Sequence, residues 1–508
     1  MNKVRYILLV GMLLCSVAVS AQTYEKIGRN NLWSGSDNIT GIRQDSLSAS
    51  YAEIFAGYEE GAFRDSWQAA RGWNAGARTA SVSHMDRMSL AGSFSFRQDE
   101  GYDMCGSMFI KPGYYPVDVL EFTPGRKTLQ TYAFDGGISY DVDPRWRVGA
   151  KMDFESANMA KRKDLRHSNW RLDMTVAPGF MFHEDGLAFG ASAIFGKTSE
   201  SVEAEQVGTA ESSYYAFLDK GLMYGTYAVW TGSGLHLDEA GVNRFPVREF
   251  VYGGSAQVQY NDFFADFRYV QTSGVVGEKE FIWFRFPGNE MSFNARYRII
   301  DRFDGDHYFR LAVSRKMQVM DETVLEKVSE NGITTVIDHG VNRVQSRVKW
   351  TIAPQYEFVL NDFCEYSAGA EVGVQDGVAS QMYPYVYSQS LVEASAYIGL
   401  LYRLGRLDWG VKGTYGKGWV SETSDLASED SGVQTAPYRL EDWYERQMEY
   451  RTAPRFRSDL MVRYNFDKGL YLRFDASSYQ GYNLHHLAPA EEEIDGRLTM
   501  MLSLGLDF

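Results

Sequence analysis

A membrane-spanning antiparallel β-barrel of about eighteen strands is the fold class this sequence predicts, and three observations predict it. Apolar and polar residues alternate with period two over long segments, the connections between those segments are alternately short and long, and the chain ends in an amphipathic strand closed by Phe508. A strand in such a barrel meets hydrocarbon on one side and water on the other, so alternation over about ten residues is what its surroundings require. Strands of soluble sandwiches and propellers also alternate, but they run only about 5 to 6 residues.

Composition agrees. Aromatic residues make up 15% of the 508, with 33 Tyr and 30 Phe beside 48 Gly and only 12 Pro, a bias toward strands. A formal charge of −15 excludes a nucleic-acid binder, whose phosphate contacts demand a basic surface. No later run reaches the roughly 18 apolar residues of a transmembrane helix, because Arg, Lys, Asp or Glu interrupts each one.

At the amino terminus Lys3 and Arg5 precede an apolar run from Tyr6 to Leu14, and Val19, Ser20 and Ala21 supply small residues before Gln22. This pattern predicts a cleaved secretory signal peptide over residues 1–21. Cys15 follows the bulky Leu14, which speaks against a lipid anchor. Residues 22–46 are expected to form a periplasmic or lumenal segment, and 47–508 the barrel. Export followed by barrel formation predicts the bacterial outer membrane.

The alternating rows are explicit. Tyr132, Phe134, Ile138 and Tyr140 oppose Asp135 and Ser139; after a turn, Trp146, Val148, Ala150, Met152 and Phe154 oppose Arg147, Lys151, Asp153 and Glu155. Trp170, Leu172, Met174, Val176, Phe180 and Phe182 oppose Arg171, Asp173 and Thr175. Later, Val344, Val348, Trp350, Ile352, Tyr356 and Phe358 oppose Gln345, Arg347, Lys349 and Glu357, and Tyr366, Ala368, Ala370 and Val372 oppose Glu365 and Glu371. Leu460, Val462, Tyr464 and Phe466 oppose Asp459, Arg463 and Asn465.

Short connections rich in Asn, Asp, Gly and Pro stand at 141–145, 183–186, Asn361-Asp362, 301–306, Asn261-Asp262, Gly405-Arg406 and 467–469; these residues form tight turns. Long polar connections are expected at roughly 99–130, 199–247, 321–340, 421–454 and 481–496. Short turns face the periplasm and long loops the exterior. Tyr140, Trp146, Phe182, Tyr260, Phe263, Phe358, Phe363, Tyr402, Trp409, Phe466 and Tyr471 crowd the short-turn ends, as an interfacial girdle would. The turns count out about eighteen strands; uncertainty before residue 90 leaves sixteen as the other count. Cys105 then falls on the outer side and Cys364 beside a periplasmic turn, too far apart for a disulfide.

In the last segment Leu498, Met500, Leu502, Leu504, Leu506 and Phe508 share one face. Leu504, Leu506 and Phe508 are read as the insertion signal for the barrel-assembly machinery. Outer-membrane lipid and lipopolysaccharide are the surrounding partners this implies.

The run from Ala160 through Lys161, Arg162, Lys163 and Asp164 to Asn169, followed by Val176, Ala177, Pro178 and Gly179, resembles a family of outer-membrane barrels of unknown function from Bacteroides-type Gram-negative bacteria. The Ala160 to Asp164 core is the specific part, and the resemblance covers most of the mature chain. It implies location and fold, and no activity. Lys161, Arg162, Lys163 and Arg166, with His167, form a basic cluster at an expected outer loop. Such a cluster attracts lipopolysaccharide headgroups or an anionic solute, although a loop packed by salt bridges to acidic neighbours is the more ordinary reading.

No catalytic arrangement is evident, so no enzyme is expected. His84, His183 and His307 lie at short turns, and His167, His236, His339, His485 and His486 near outer loops, without a nucleophile motif. His485 and His486 with Glu491, Glu492 and Glu493 have suitable ligand chemistry, but acidic loops are usually solvated; no metal or cofactor is expected. Gly196-Lys197-Thr198 lacks the first Gly of a phosphate loop, Ala191 standing there.

Inward positions carry both signs. Arg147, Lys151, Arg171, Arg296, Arg298, Arg347, Glu357 and Glu371 are the candidate lumen charges, and the mixture suggests cross-strand ion pairs rather than a one-signed selectivity ring. About eighteen strands enclose a lumen wide enough for water and small solutes, so a porin-like channel for small-solute uptake is the leading expectation. The alternative is a non-conducting surface barrel, plugged by side chains and the segment around Trp33, whose outer loops bind a partner protein or polysaccharide.

Overall fold

Each side of a strand in this chain meets a different solvent, and the folded chain follows that division. The computed structural model describes residues 23–205, 207, 215–221, 226–231, 244–278, 281–301, 305–330, 333–360, 363–382, 385–424, 440–487 and 496–508. The expected signal peptide, the Asn361-Asp362 turn, His236 and Glu491 to Glu493 lie outside the described residues.

The strands are β1 (Ala49–Gly61), β2 (Arg71–His84), β3 (Met88–Ser107), β4 (Asp118–Asp141), β5 (Trp146–Lys161), β6 (Arg166–Glu184), β7 (Leu187–Glu205), β8 (Tyr215–Gly221), β9 (Thr226–Thr231) and β10 (Arg244–Tyr260). They continue as β11 (Phe263–Glu278), β12 (Phe281–Ile299), β13 (Asp306–Glu330), β14 (Ile333–Leu360), β15 (Cys364–Met382), β16 (Tyr385–Leu404), β17 (Leu407–Ser424), β18 (Arg455–Asn465), β19 (Leu470–Gly481) and β20 (Gly496–Asp507). Two α-helices, α1 (Thr23–Asn30) and α2 (Leu440–Thr452), and two 3-10 turns, Ile39–Gln44 and Asp467–Gly469, complete the described elements.

Eighteen of the strands form a closed antiparallel barrel. Sequence neighbours pair around the ring, except that β7 pairs with β10; β8 and β9 form a separate hairpin that is not part of the ring, β8 pairing with the start of β4. The ring shuts where β20 meets β1, Asp507 opposite Tyr51 and Arg497 opposite Gly61. Ser50 and Phe508 exchange both backbone hydrogen bonds there, at 2.7 and 2.8 Å. A backbone amide facing hydrocarbon has no water to bond, so only a closed ladder is tolerated.

The turn chemistry is local. Asp185 and Gly186 both have positive φ, 43° and 80°, the type I′ combination that suits the twist of a two-residue hairpin. At the next turns Asn261, Gly405 and Gly469 also have positive φ.

The outer face is apolar: Phe94, Phe134, Trp170, Phe195, Phe267, Trp350, Ile398, Leu502, Leu504 and Phe508 are all exposed. Two residues assigned to lipid or its interface sit elsewhere. Tyr471 is buried in the lumen, its hydroxyl donating to Glu53 at 2.6 Å and its ring stacked under Arg463; it occupies the inward parity of β19. Val344 is buried with Met320 and Phe286, because a register shift between Met320 and Asp321 re-aims that stretch of β14.

The expected long connections are shorter than the alternation implied. Residues 99–107 and 118–130 are strand, β7 runs to Glu205, and nearly all of 321–340 is the outer part of the β13–β14 hairpin. With 25 residues, β13 extends roughly 80 Å at about 3.3 Å per residue, far beyond the ~10 tilted residues that cross a bilayer. His339, placed in a loop by sequence, lies on this hairpin and pairs with Glu326 at 2.6 Å.

Ile398 is 74% exposed and stands four positions before the girdle residue Tyr402, within the lipid-facing band. Ile398→Arg should lower folding stability in liposomes by about 2–4 kcal/mol, the cost of a lipid-facing Arg near the midplane. Urea titration in vesicles measures it; an unchanged midpoint would place Ile398 away from hydrocarbon.

Candidate functional site

The lumen carries whatever this barrel does, and two sets of inserted residues enter it. At the short-turn end residues 23–48 fold into the barrel. Asn38 caps the 3-10 turn, its carboxamide oxygen accepting from Thr40 N, and its Nδ2 donates to Phe180 O at 2.9 Å and Gln257 Oε1 at 3.0 Å. Trp33 packs with Leu32, Met181, Ala188 and Phe264 and donates from Nε1 to Gln259 at 2.6 Å.

Charges hold the segment on several sides. Arg29 meets Glu357 at 2.6 Å and Glu365 at 2.5 Å; Asp37 meets Arg268 at 3.0 Å; Arg43 meets Asp141 at 2.8 Å. Arg298 donates to Asn30 O at 2.8 Å. The wall is shaped for this occupant: a Cβ at Gly190 would lie 2.6 Å from Asn38 Nδ2 and 2.8 Å from the Trp33 ring.

At the outer end four inserts converge. Residues 108–117, between β3 and β4, turn inward with hairpin β8–β9. Met108, Phe109, Tyr115, Val117, Ala216 and Leu218 form an apolar core with the inward residues Val202, Phe245, Val247, Phe284 and Phe286. Tyr114 reaches across to donate to Glu249 at 2.8 Å, with Lys316 over its ring. The α2 helix stacks Trp443 on Phe122, places the Tyr444 hydroxyl 2.6 Å from Gln389 Nε2 and pairs Arg451 with Glu393 at 2.5 Å. The loop at 62–70 brings Phe63 against Tyr450.

The candidate lumen charges distribute over this frame. Arg147 pairs with Asp141, Lys151 with Asp135 and Asp153, and Arg171 with Glu200 and Asp173 while lying over the Tyr114 ring. Arg298 pairs with Asp262, and Glu357 takes Arg29 and Arg310. Arg296 lies against Gly35 of the inserted segment. Arg347 donates to Gly113 O and Gln318 Oε1, and Glu371 is exposed. A cavity of about 650 Å³ is lined by Arg78, Glu365, Lys412, Arg457, Asp459 and Arg473 among others.

The basic cluster divides. Lys161 is not a surface charge: its side chain is 0% exposed and its ammonium donates to Glu121 and to Thr123 O, with Lys127 beside the same carboxylate at 3.7 Å. It falls on the inward parity of β5, so burial forces a partner on it. Arg166 pairs with Asp164 at 3.0 Å; Arg162 and Lys163 are exposed, and His167 is buried in β6 rather than lying in a loop. His485 and His486 belong to a backbone cradle in which the amides of His486 and Leu487 donate to Glu449 at 2.8 and 2.6 Å. Among the described residues no group of three or more His, Cys, Asp or Glu is placed to hold a metal, and Cys105 and Cys364 are free.

Sequence reading missed Arg29, Asp37, Asn38, the inward turn of 108–117 and α2. Met108, Phe109, Ile110 and Tyr114 to Val117 carried a signal, since an apolar stretch in a polar loop asks for burial. Asn38 and Thr40 were readable as a cap.

A protein-family model described as "Family of unknown function (DUF6850)" matches residues 40–508. No curated protein matches the sequence. Solved structures with similar folds include the ferric-catecholate import receptor Fiu from E. coli K12, at TM-score 0.42 and 7% identity over 91% of this chain and 82% of that one. The copper transporter OprC matches at TM-score 0.40 and 8% identity over 91% and 80%. The siderophore receptor PirA from Pseudomonas aeruginosa matches at TM-score 0.30 and 9% identity over 91% and 80%.

Glu121 is fully buried between two lysines, so Glu121→Leu should cost about 3–5 kcal/mol by stranding both ammonium groups. Lys161→Met should cost less, because Lys127 remains beside the carboxylate. Urea midpoints of the folded barrel rank the two variants, and the reverse order would refute the assignment.

Burial pushes the Asp65 carboxyl, in the outer loop at 62–70, up to about 7 from an ordinary 3.8. A raised acid favours its protonated form when folded, so docking of this loop is strongest below pH 4 and weakens as pH rises through 7. Amide hydrogen exchange over residues 62–70, corrected for intrinsic rate, should be faster at pH 8 than at pH 5.5, and Asp65→Asn should abolish the difference.

Proposed function

We propose, for a chain that belongs to the DUF6850 family of unknown function, that it is an outer-membrane β-barrel for small-solute uptake whose lumen is shut at rest by its own inserted segments. The supporting observation is the seat of residues 23–48, which fill the short-turn end through ion pairs to β4, β11, β14 and β15. A wall built only for stiffness needs no glycine opposite Trp33; a wall that receives a plug does.

The remaining lumen supports passage of a polar solute rather than a lipid. Its middle cavity is lined by paired charges and hydroxyls, which keep such a wall hydrated. The apolar-out, polar-in barrel and the exposed row ending in Leu504 and Phe508 support insertion from the periplasm through the barrel-assembly machinery, with lipid and lipopolysaccharide as surroundings.

One observation favours the second reading, a non-conducting surface barrel that binds a partner protein or polysaccharide. The inward core of Phe109, Tyr115, Phe245 and Phe284 fills part of the outer lumen with side chains that repel water.

Planar-bilayer recording separates the two. The full chain should be silent, whereas Arg29→Glu sets a third carboxylate beside Glu357 and Glu365 and should raise the opening frequency about tenfold or more, as ~1.4 kcal/mol of repulsion suffices to do. If Arg29→Glu and a chain lacking residues 23–46 both stay silent, the uptake reading fails and the binding barrel stands.

A further inference from the structure

Beneath the outer closure lies a cavity of about 390 Å³, inside the range of roughly 300–1,000 Å³ typical of small-molecule sites. Loop 62–70, the inward turn 108–117, the start of β4, β8, β14, β15, β16 and α2 all contribute to its lining. Ionisable groups of both signs line it. Acidic side chains come from Asp65, Asp118, Asp219 and Glu393, and cations from Arg347, Lys349 and Arg451.

Most of those charges are already engaged within the protein. Glu393 holds Arg451, Asp118 accepts from Ser107 Oγ and Val119 N, and Asp219 accepts from Gly221 N. Arg347 donates to two amide oxygens. An ion entering this space has to compete with these internal partners.

Amides supply the remaining polar lining. Gln345, Gln375, Gln389 and Gln447 all face the cavity. Gln345 is 3% exposed, and its Oε1 has no hydrogen-bond partner among the described residues. A buried acceptor left in this state asks for a donor. A carboxamide both donates and accepts, which matches the hydroxyl group, itself a donor and an acceptor. Trp67 and Tyr450 add ring surfaces to the same lining, suited to the C–H faces of a sugar ring.

We infer that this cavity is a binding site for a small neutral polyhydroxylated solute of the mono- or disaccharide class, in which a solute hydroxyl donates to Gln345 Oε1. The inference rests on the uptake reading above and names its solute.

The test uses the full chain in detergent micelles and saturation-transfer NMR with three probes alike in size: D-glucose, D-gluconate and D-glucosamine, with sucrose as a larger neutral probe. A neutral sugar should bind, and neither charged probe should bind more tightly than glucose. Gln345→Leu and Gln375→Leu should each weaken neutral-sugar binding about three- to tenfold, the value of one hydrogen bond. Gln345→Leu should leave the thermal midpoint of the free protein unchanged or raised, because it removes an unpaired acceptor. A purely structural role would instead lower that midpoint.

Preferential binding of gluconate or glucosamine overturns the inference in favour of a charged solute. So does the absence of all binding, or sugar binding that both glutamine variants leave intact. Because binding is read without transport, a conducting Arg29→Glu that binds no sugar sinks this inference alone. Sugar binding in a barrel that never conducts sinks the uptake reading alone.

Discussion

Closure of the backbone ladder between β20 and β1 is the constraint on which everything else depends. In hydrocarbon each unbonded peptide group costs several kcal/mol, so the sheet has no edges to spare. Once Ser50 and Phe508 seal the ring, side chains divide by parity. The outward row presents an exposed apolar surface, and the inward row is confined with whatever water and chain the lumen holds.

Confinement explains the character of the interior. Charges there cannot disperse into bulk solvent, so most are wired to one another, as in Lys151 with Asp135 and Asp153, or Arg403 with Glu365. Burial raises the stakes with depth. Lys161 and Glu121, both at 0% exposure, form the extreme case, and Arg171 is held by Glu200, Asp173 and two tyrosines.

The same wiring seats the inserted segments. Arg29 completes a carboxylate pair on β14 and β15, and Asp37 completes Arg268, which also reaches Glu290. Polar anchoring of this kind is exchangeable with water, unlike the apolar core around Phe109 and Phe245 at the outer end. The two closures therefore differ in kind: one is tied by charge and hydrogen bonds around a small Trp33 cluster, the other is packed.

The barrel, its strand count, the parity of most rows and several of the short turns were legible in the sequence, because each is written locally. Period-two alternation records the solvent on each side, and Asp185-Gly186 records a positive φ at one turn. Parity failed at Val344, where a register shift re-aims the strand, and at Tyr471, whose aromatic ring suggested an interface while its position on β19 points inward. What only the tertiary structure decided is who meets whom across the lumen. Arg29 and Glu365 are 336 positions apart, and Tyr471 and Glu53 are 418 apart. No local pattern encodes such pairs; ring closure creates them by bringing opposite walls and both ends of the chain into one confined space.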